Sequence, residues 1–126
     1  MARILVAEDE PSVQSFIIRA LRGAGHEVDA VSDGSEALEA LAAAMEAEKP
    51  YELLLTDIIM PVMDGISLAL SASRHAPGIT ILLMTGYSDQ RERAHGLDAI
   101  IHDIMLKPFT LEELVAQVNE ALAARG

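Results

Sequence analysis

A chain of 126 residues and 13.5 kDa has the size of one domain, and such a chain buries about two thirds of its unfolded surface. Nine Lys and Arg against twenty Asp and Glu give a formal charge of −11, which repels phosphate backbones and anionic headgroups and argues against binding to nucleic acid or membrane. The absence of Cys removes disulfides, thiolate metal sites and thiol nucleophiles, and an apolar content of 51% is too high for a disordered chain.

Met1-Ala2-Arg3 runs straight into a strand-like segment instead of a signal peptide, and no apolar run nears the roughly 18 residues of a membrane span. A cytoplasmic protein is expected. Ile4 to Ala7 is continuously apolar, the pattern of a strand buried on both faces. Val13, Phe16, Ile17, Ala20 and Leu21 then form a helical stripe that stops at Gly23 and Gly25. Gly23-Ala24-Gly25 is a helix stop and not a dinucleotide loop, since it follows a helix and has no third Gly. Glu27 to Val31 offers a less apolar strand. Asp33 and Glu36 make a capping-box pair ahead of Ala37, Leu38, Leu41 and Met45, a second helix ending before Pro50.

Leu53 to Leu55 is another buried strand. Asp64 caps a third helix, with Ile66, Ala69 and Leu70 as its apolar face, and Pro77-Gly78 separates it from the strand at Ile79 to Met84. Ser88 to Leu97 is mostly polar and broken by Gly96, so a helix there has little to hold it. A fifth strand lies within Ala99 to Leu106. Thr110 and Glu113 form a second capping box before Leu111, Leu114, Val115, Val118 and Leu122. Strand and helix thus alternate five times, which predicts an α/β fold: a doubly wound, five-stranded parallel sheet with ligands at the carboxyl ends of its strands.

Those ends carry Glu8-Asp9-Glu10, Thr56-Asp57, Thr85-Gly86 and Lys107-Pro108. Carboxylates at adjacent strand ends suit Mg2+, with Asp9 and Asp57 as direct ligands. A Lys and a Thr hydroxyl beside them suit phosphoryl oxygens, and a carboxylate can itself be the nucleophile that forms an aspartyl phosphate. Glu10 reads as a solvated acid beside the first helix. His26, His75, His95 and His102 show no metal-ligand or triad spacing and are read as incidental.

Asp57-Ile58-Ile59-Met60-Pro61-Val62-Met63-Asp64-Gly65, with Glu8-Asp9 before it and Thr85-Gly86 and Lys107-Pro108-Phe109 after it, resembles the receiver domain of bacterial two-component response regulators. The likeness covers essentially the whole chain. It implies the flavodoxin-like (CheY-like) three-layer fold, one receiver domain over 1–126, and a switch that takes a phosphoryl group on Asp57 from a histidine kinase or phosphotransfer protein. It further implies Mg2+ held by Asp9, Asp57 and the backbone carbonyl of Ile59, with Glu8 acting through water. Lys107 becomes the phosphate-binding lysine before a cis peptide, and Thr85 the switch hydroxyl.

Two positions depart from the family pattern. Ile104 stands where many receivers have an aromatic ring that rotates inward, and Tyr87 occupies a position that influences access to the acyl phosphate. The chain ends at Gly126 directly after the last helix, with no output domain expected, so the signal is expected to pass to a separate target protein, from a monomer or weak dimer. Among stand-alone receivers the segments around Thr85, Lys107 and Asp57 are most similar to those that act as adaptors recruiting a AAA+ protease. An interaction module or protease adaptor, with phosphate as modulator, is therefore the alternative. An aspartyl phosphatase would need a general acid two residues after the nucleophile, where Ile59 has no proton to give; only slow self-phosphorylation and autodephosphorylation are expected.

Overall fold

A computed structural model describes residues 2–125, without the side chains of Ser88, Asp89, Arg91 and His95. Five strands, β1 (Arg3–Ala7), β2 (Glu27–Val31), β3 (Leu53–Asp57), β4 (Thr80–Thr85) and β5 (Asp103–Leu106), alternate with helices α1 (Pro11–Gly23), α2 (Gly34–Glu46), α3 (Gly65–His75), α4 (Ser88–Arg93) and α5 (Leu111–Ala124). All pairings are parallel, in the order β2-β1-β3-β4-β5. The order reverses direction between β1 and β3, and a crevice at that point of the carboxyl edge is where such sheets bind ligands.

Alternate residues of one strand feed opposite cores, because successive Cβ atoms point to opposite faces. Ile4 and Val6 of β1, with Leu53, Leu55, Leu82 and Met84, pack under Ile17 and Leu21 of α1 and Leu114 and Val118 of α5. Leu5, Ala7, Leu54, Ile81 and Leu83 pack under Ala37 and Leu41 of α2 and Leu68, Ala69 and Ala72 of α3. Two covered faces explain why the central strands read as unbroken apolar runs. Full burial of each such Leu or Ile contributes about 2 kcal/mol.

The helix starts follow the local chemistry. Asp33 and Asp64 accept the N–H groups of Glu36 and Ser67, and Thr110 with Glu113 forms a reciprocal capping box. At Asp33 the return arm is shifted, since Glu36 Oε1 accepts from Ser32 N. Gly25, at φ +95°, takes the chain out of α1.

Several expectations need correction. Met45 and Leu70, placed on the buried faces of α2 and α3, are 43% and 38% exposed; Ala44 and Leu68 take those places. A stripe of large apolar residues marks the phase of a helix only to within a residue, and small residues fill the contact. The fourth helical segment is a six-residue helix followed by a separate 3-10 turn at His95–Leu97, consistent with its few apolar anchors. β5 is a four-residue edge strand, and Leu106 is 40% exposed.

Candidate functional site at the carboxyl edge of the sheet

Parallel register brings the polar strand ends side by side. Ala7 of β1 lies opposite Thr56, Asp57 opposite Met84, and Thr85 opposite Leu106. Each next residue therefore emerges at the same edge: Glu8 after β1, Asp57 closing β3, Thr85 closing β4 and Lys107 after β5. The backbone holds them there, with Ile58 N donating to Met84 O and Lys107 N to Thr85 O at 3.0 and 2.8 Å. The Lys107-Pro108 peptide is cis.

Lys107 is the hub. From the edge strand its Nζ crosses β4 and donates to Asp57 Oδ2 and to Glu8 Oε1, both at 2.6 Å. Glu8 Oε2 accepts the Glu10 N–H at 3.0 Å. The Glu8 side chain is wholly buried, and burial drives its carboxyl above the ordinary carboxylate range although the bonds from Lys107 and Glu10 pull it down; the charge of Asp57 adds to the rise. Burial alone would lower Lys107, but its hydrogen bonds to Asp57 and Glu8 prevail and hold its ammonium above the usual lysine value.

Asp9 is exposed, yet it completes a cluster: one carboxylate oxygen from each of Glu8, Asp9 and Asp57 lies within 4.8 Å of the others. Three hard oxygen donors, one of them open to solvent, fit a cation that keeps part of its water, Mg2+ above all. Ile59, in the bend after Asp57, donates its N–H to Asp57 Oδ1 at 3.3 Å. Thr85 is fully buried, and its Oγ1 accepts the Tyr87 N–H at 3.2 Å, a contact that uses a lone pair and leaves the hydroxyl proton free to donate.

The remaining positions divide. The Tyr87 ring is 61% exposed, so it is not packing material. Ile104 is half-buried against the core beneath α2 and α3. Among the histidines, His26 Nδ1 accepts the Ala2 N–H while its Nε2 faces Asn119 Oδ1, His75 meets the Ser71 carbonyl and His102 meets Glu120; these are structural contacts away from the acid cluster. The side chain of His95 lies outside the described residues.

Gly65 is a site residue that the sequence reading missed, having treated it only as a helix start. Any Cβ on it would sit 2.0 Å from the Asp57 carbonyl oxygen, and its N–H donates to Ile58 O at 2.7 Å. Only a glycine lets α3 begin directly against the acceptor strand. The loop between them is tight, since Val62 has φ +69° and Met63 N donates back to Pro61 O at 2.8 Å. A γ-turn on a β-branched residue costs about 1–3 kcal/mol and marks a loop held by its surroundings.

The model of the response regulator receiver domain matches residues 4–119. The chain belongs to the receiver family. The response regulator receiver protein CpdR of Brucella abortus is 37% identical over 124 residues, covering 98% of this receiver and 99% of that protein. The transcriptional regulatory protein TcrA of Mycobacterium tuberculosis is 36% identical over 98% of this receiver, which spans 47% of TcrA. Among solved structures, a putative response regulator of Chloroflexus aurantiacus superposes with TM-score 0.84 at 30% identity over 97% of this chain and 98% of its own. TrrA of Thermotoga maritima, solved in complex with Mg2+ and BeF, gives 0.81 at 29% identity over 96% of this chain and 99% of its own. The fold is thus the CheY-like, flavodoxin-like α/β sandwich. Receivers are switches of two-component systems that work with histidine kinases and output targets, and a phosphorylated aspartate with Mg2+ at an acidic pocket is typical of them. No helix among the described residues is long and apolar enough to cross a membrane.

Proposed function

We propose that this receiver is a phosphorylation switch in which Asp57 accepts the phosphoryl group from a histidine kinase or phosphotransfer protein in the cytoplasm. In this reading residues 1–126 act as one receiver, and the state is passed to a separate protein. One observation carries it: Lys107 Nζ lies 2.6 Å from an oxygen of Asp57 beside three clustered carboxylates. A cation with ligands from Asp9, Asp57 and the Ile59 carbonyl, and from Glu8 through water, fits that donor set. Bound there, Mg2+ neutralises charge on the entering phosphoryl oxygens.

The chain's own groups do the rest. An Asp57 carboxylate oxygen forms the bond to phosphorus as the bond to the donor's nitrogen or acetyl oxygen breaks. Lys107, already on Asp57, is within reach of a phosphoryl oxygen attached to it, and the Thr85 hydroxyl proton can be donated to another. Tyr87 is exposed two residues after Thr85, and in this reading its ring limits access of water to the acyl phosphate. Slow self-phosphorylation and autodephosphorylation need no further residue.

Incubation with Mg2+ and acetyl phosphate should add one phosphoryl group to Asp57 by mass spectrometry. Stoichiometric labelling of an Asp57→Asn protein would move the acceptor elsewhere. The second reading, a protease adaptor or interaction module that binds its target directly with phosphate as modulator, is supported by the likeness to CpdR along nearly the full length of both chains. Target capture that is equal for wild type and Asp57→Ala would favour it.

A further inference from the structure

Gln14 is polar where α1 should be apolar. It lies three and seven residues before Ile17 and Leu21, both fully buried, and so on the inward side of the helix. The structure shows what occupies its amide. Nε2 donates to the Glu8 carbonyl at 2.9 Å and to the Val31 carbonyl at 3.0 Å, which uses both protons of the carboxamide. The Val31 oxygen also accepts the Glu8 N–H at 3.1 Å, and the Gln14 backbone N–H reaches the Glu10 carbonyl at 2.9 Å.

Asp9 therefore sits in a short bend whose two neighbours are both tied to one residue, Glu8 through the side chain of Gln14 and Glu10 through its backbone. Such a tie matters here because Glu8, Asp9 and Asp57 crowd their carboxylates within 4.8 Å. Like charges at that range repel, and Asp9, the exposed member, is the one free to swing away. We propose that Gln14 is a positioning residue for the cation site: its two-carbonyl bridge holds the bend that aims Asp9 at Glu8 and Asp57. The proposal rests on the reading of that cluster as the Mg2+ site. Partners that orient ligands without touching the metal typically change affinity about 10–100-fold when removed.

The test is an amide NMR titration with MgCl2 at neutral pH, alongside melting in EDTA. Gln14→Met keeps the length and removes both donors; its Mg2+ dissociation constant should rise about tenfold, beyond anything its melting temperature in EDTA accounts for. Asp9→Asn should lose the saturable titration altogether. If Asp9→Asn loses it and Gln14→Met stays within about twofold of wild type, Gln14 merely supports the helix and the proposal is overturned while the cation site stands. If wild type does not saturate, or Asp9→Asn titrates like wild type, the cation site itself is wrong and the proposal falls with it. Should Gln14→Met fail to fold, Gln14→Asn replaces it: the amide remains but one methylene short of spanning both carbonyls, and unchanged affinity there would equally overturn the role.

Discussion

The two ends of the sheet handle charge in opposite ways. At the amino end Arg3 and Arg125 meet neutral acceptors or, for Arg3, the single acid Glu27. Arg3 stacks its guanidinium 4.7 Å from the Tyr51 ring and donates to Lys49 O, and Arg125 donates to the carbonyls of Glu52 and Gly78. The Tyr51 hydroxyl donates to Asp29 at 2.6 Å, and burial together with that carboxylate pushes its pKa up to about 12. At the carboxyl end three carboxylates face one ammonium. The amino end is closed by its own contacts, whereas the carboxyl end is left short of positive charge and becomes complete only with a ligand. A fold can therefore be stable and still hold a site under electrostatic tension, provided the two lie at opposite edges.

Removing the ammonium that Glu8 and Asp57 share should have the largest effect. Lys107→Met leaves Glu8 and Asp57 buried without their shared cation and should cost about 2–3 kcal/mol at pH 7 without Mg2+, a fall of roughly 10 °C in melting temperature. The sign with pH is specific. The pKa of Lys107 is raised in the fold, so in wild type its contribution is present below the usual lysine pKa of about 10.5 and is lost as pH rises through the higher folded value. In the variant, Glu8, already raised by burial, should protonate on acidification sooner than an ordinary carboxylate, and the deficit against wild type should shrink. A deficit that grows on acidification would show that Glu8 is not the strained acid.

The amino end sharpens the contrast. Arg125→Ala removes two exposed bonds to backbone carbonyls and should cost about 1 kcal/mol. Because nothing there faces excess charge, thermal melts should show the same loss with and without Mg2+ and little change between pH 6 and 9. A Mg2+-dependent loss would mean that the two ends are coupled through the sheet.

Much of this division was legible in the sequence, and the physics explains which part. Helix caps at Asp33, Asp64 and Thr110 are local, and two-faced burial of β1, β3 and β4 shows as unbroken apolar runs. The strand order puts Asp57, Thr85 and Lys107 at one edge whatever the details. Illegible were contacts set by packing in three dimensions: the grip of Lys107 on Glu8, which the sequence reading had acting through water on the cation; the Cβ-free approach of Gly65 to Asp57; and the two hydrogen bonds of the Gln14 amide. None has a spacing rule. The exposure of Met45 and Leu70 was missed because α2 and α3 rest on Ala44, Ala69 and Ala72, and alanine stripes carry little hydrophobic signal.

The smallest expected effect concerns α4, where the carboxyl edge meets the surface. Its six residues are followed by a separate 3-10 turn, and Arg93 donates to Asp64 Oδ2 at 2.7 Å while Asp64 Oδ1 caps α3. Burial would raise the Asp64 carboxyl, but the Ser67 N–H and Arg93 hold it below the usual range. The link is therefore present at neutral pH and fades as pH falls through that lowered value. Arg93 is half exposed, so Arg93→Ala should cost only about 0.5 kcal/mol, read as an amide exchange rate about twofold faster in Ser88 to Leu97. Ile104 is β-branched and stiff about χ1 and half-buried in the core, so it cannot report the state by swinging as a ring does. Beryllofluoride with Mg2+ should alter exchange most in Thr85 to Leu97 and little in β5. Protection changing chiefly at Asp103 to Leu106 would place the signal in the edge strand and leave the Arg93 link a bystander.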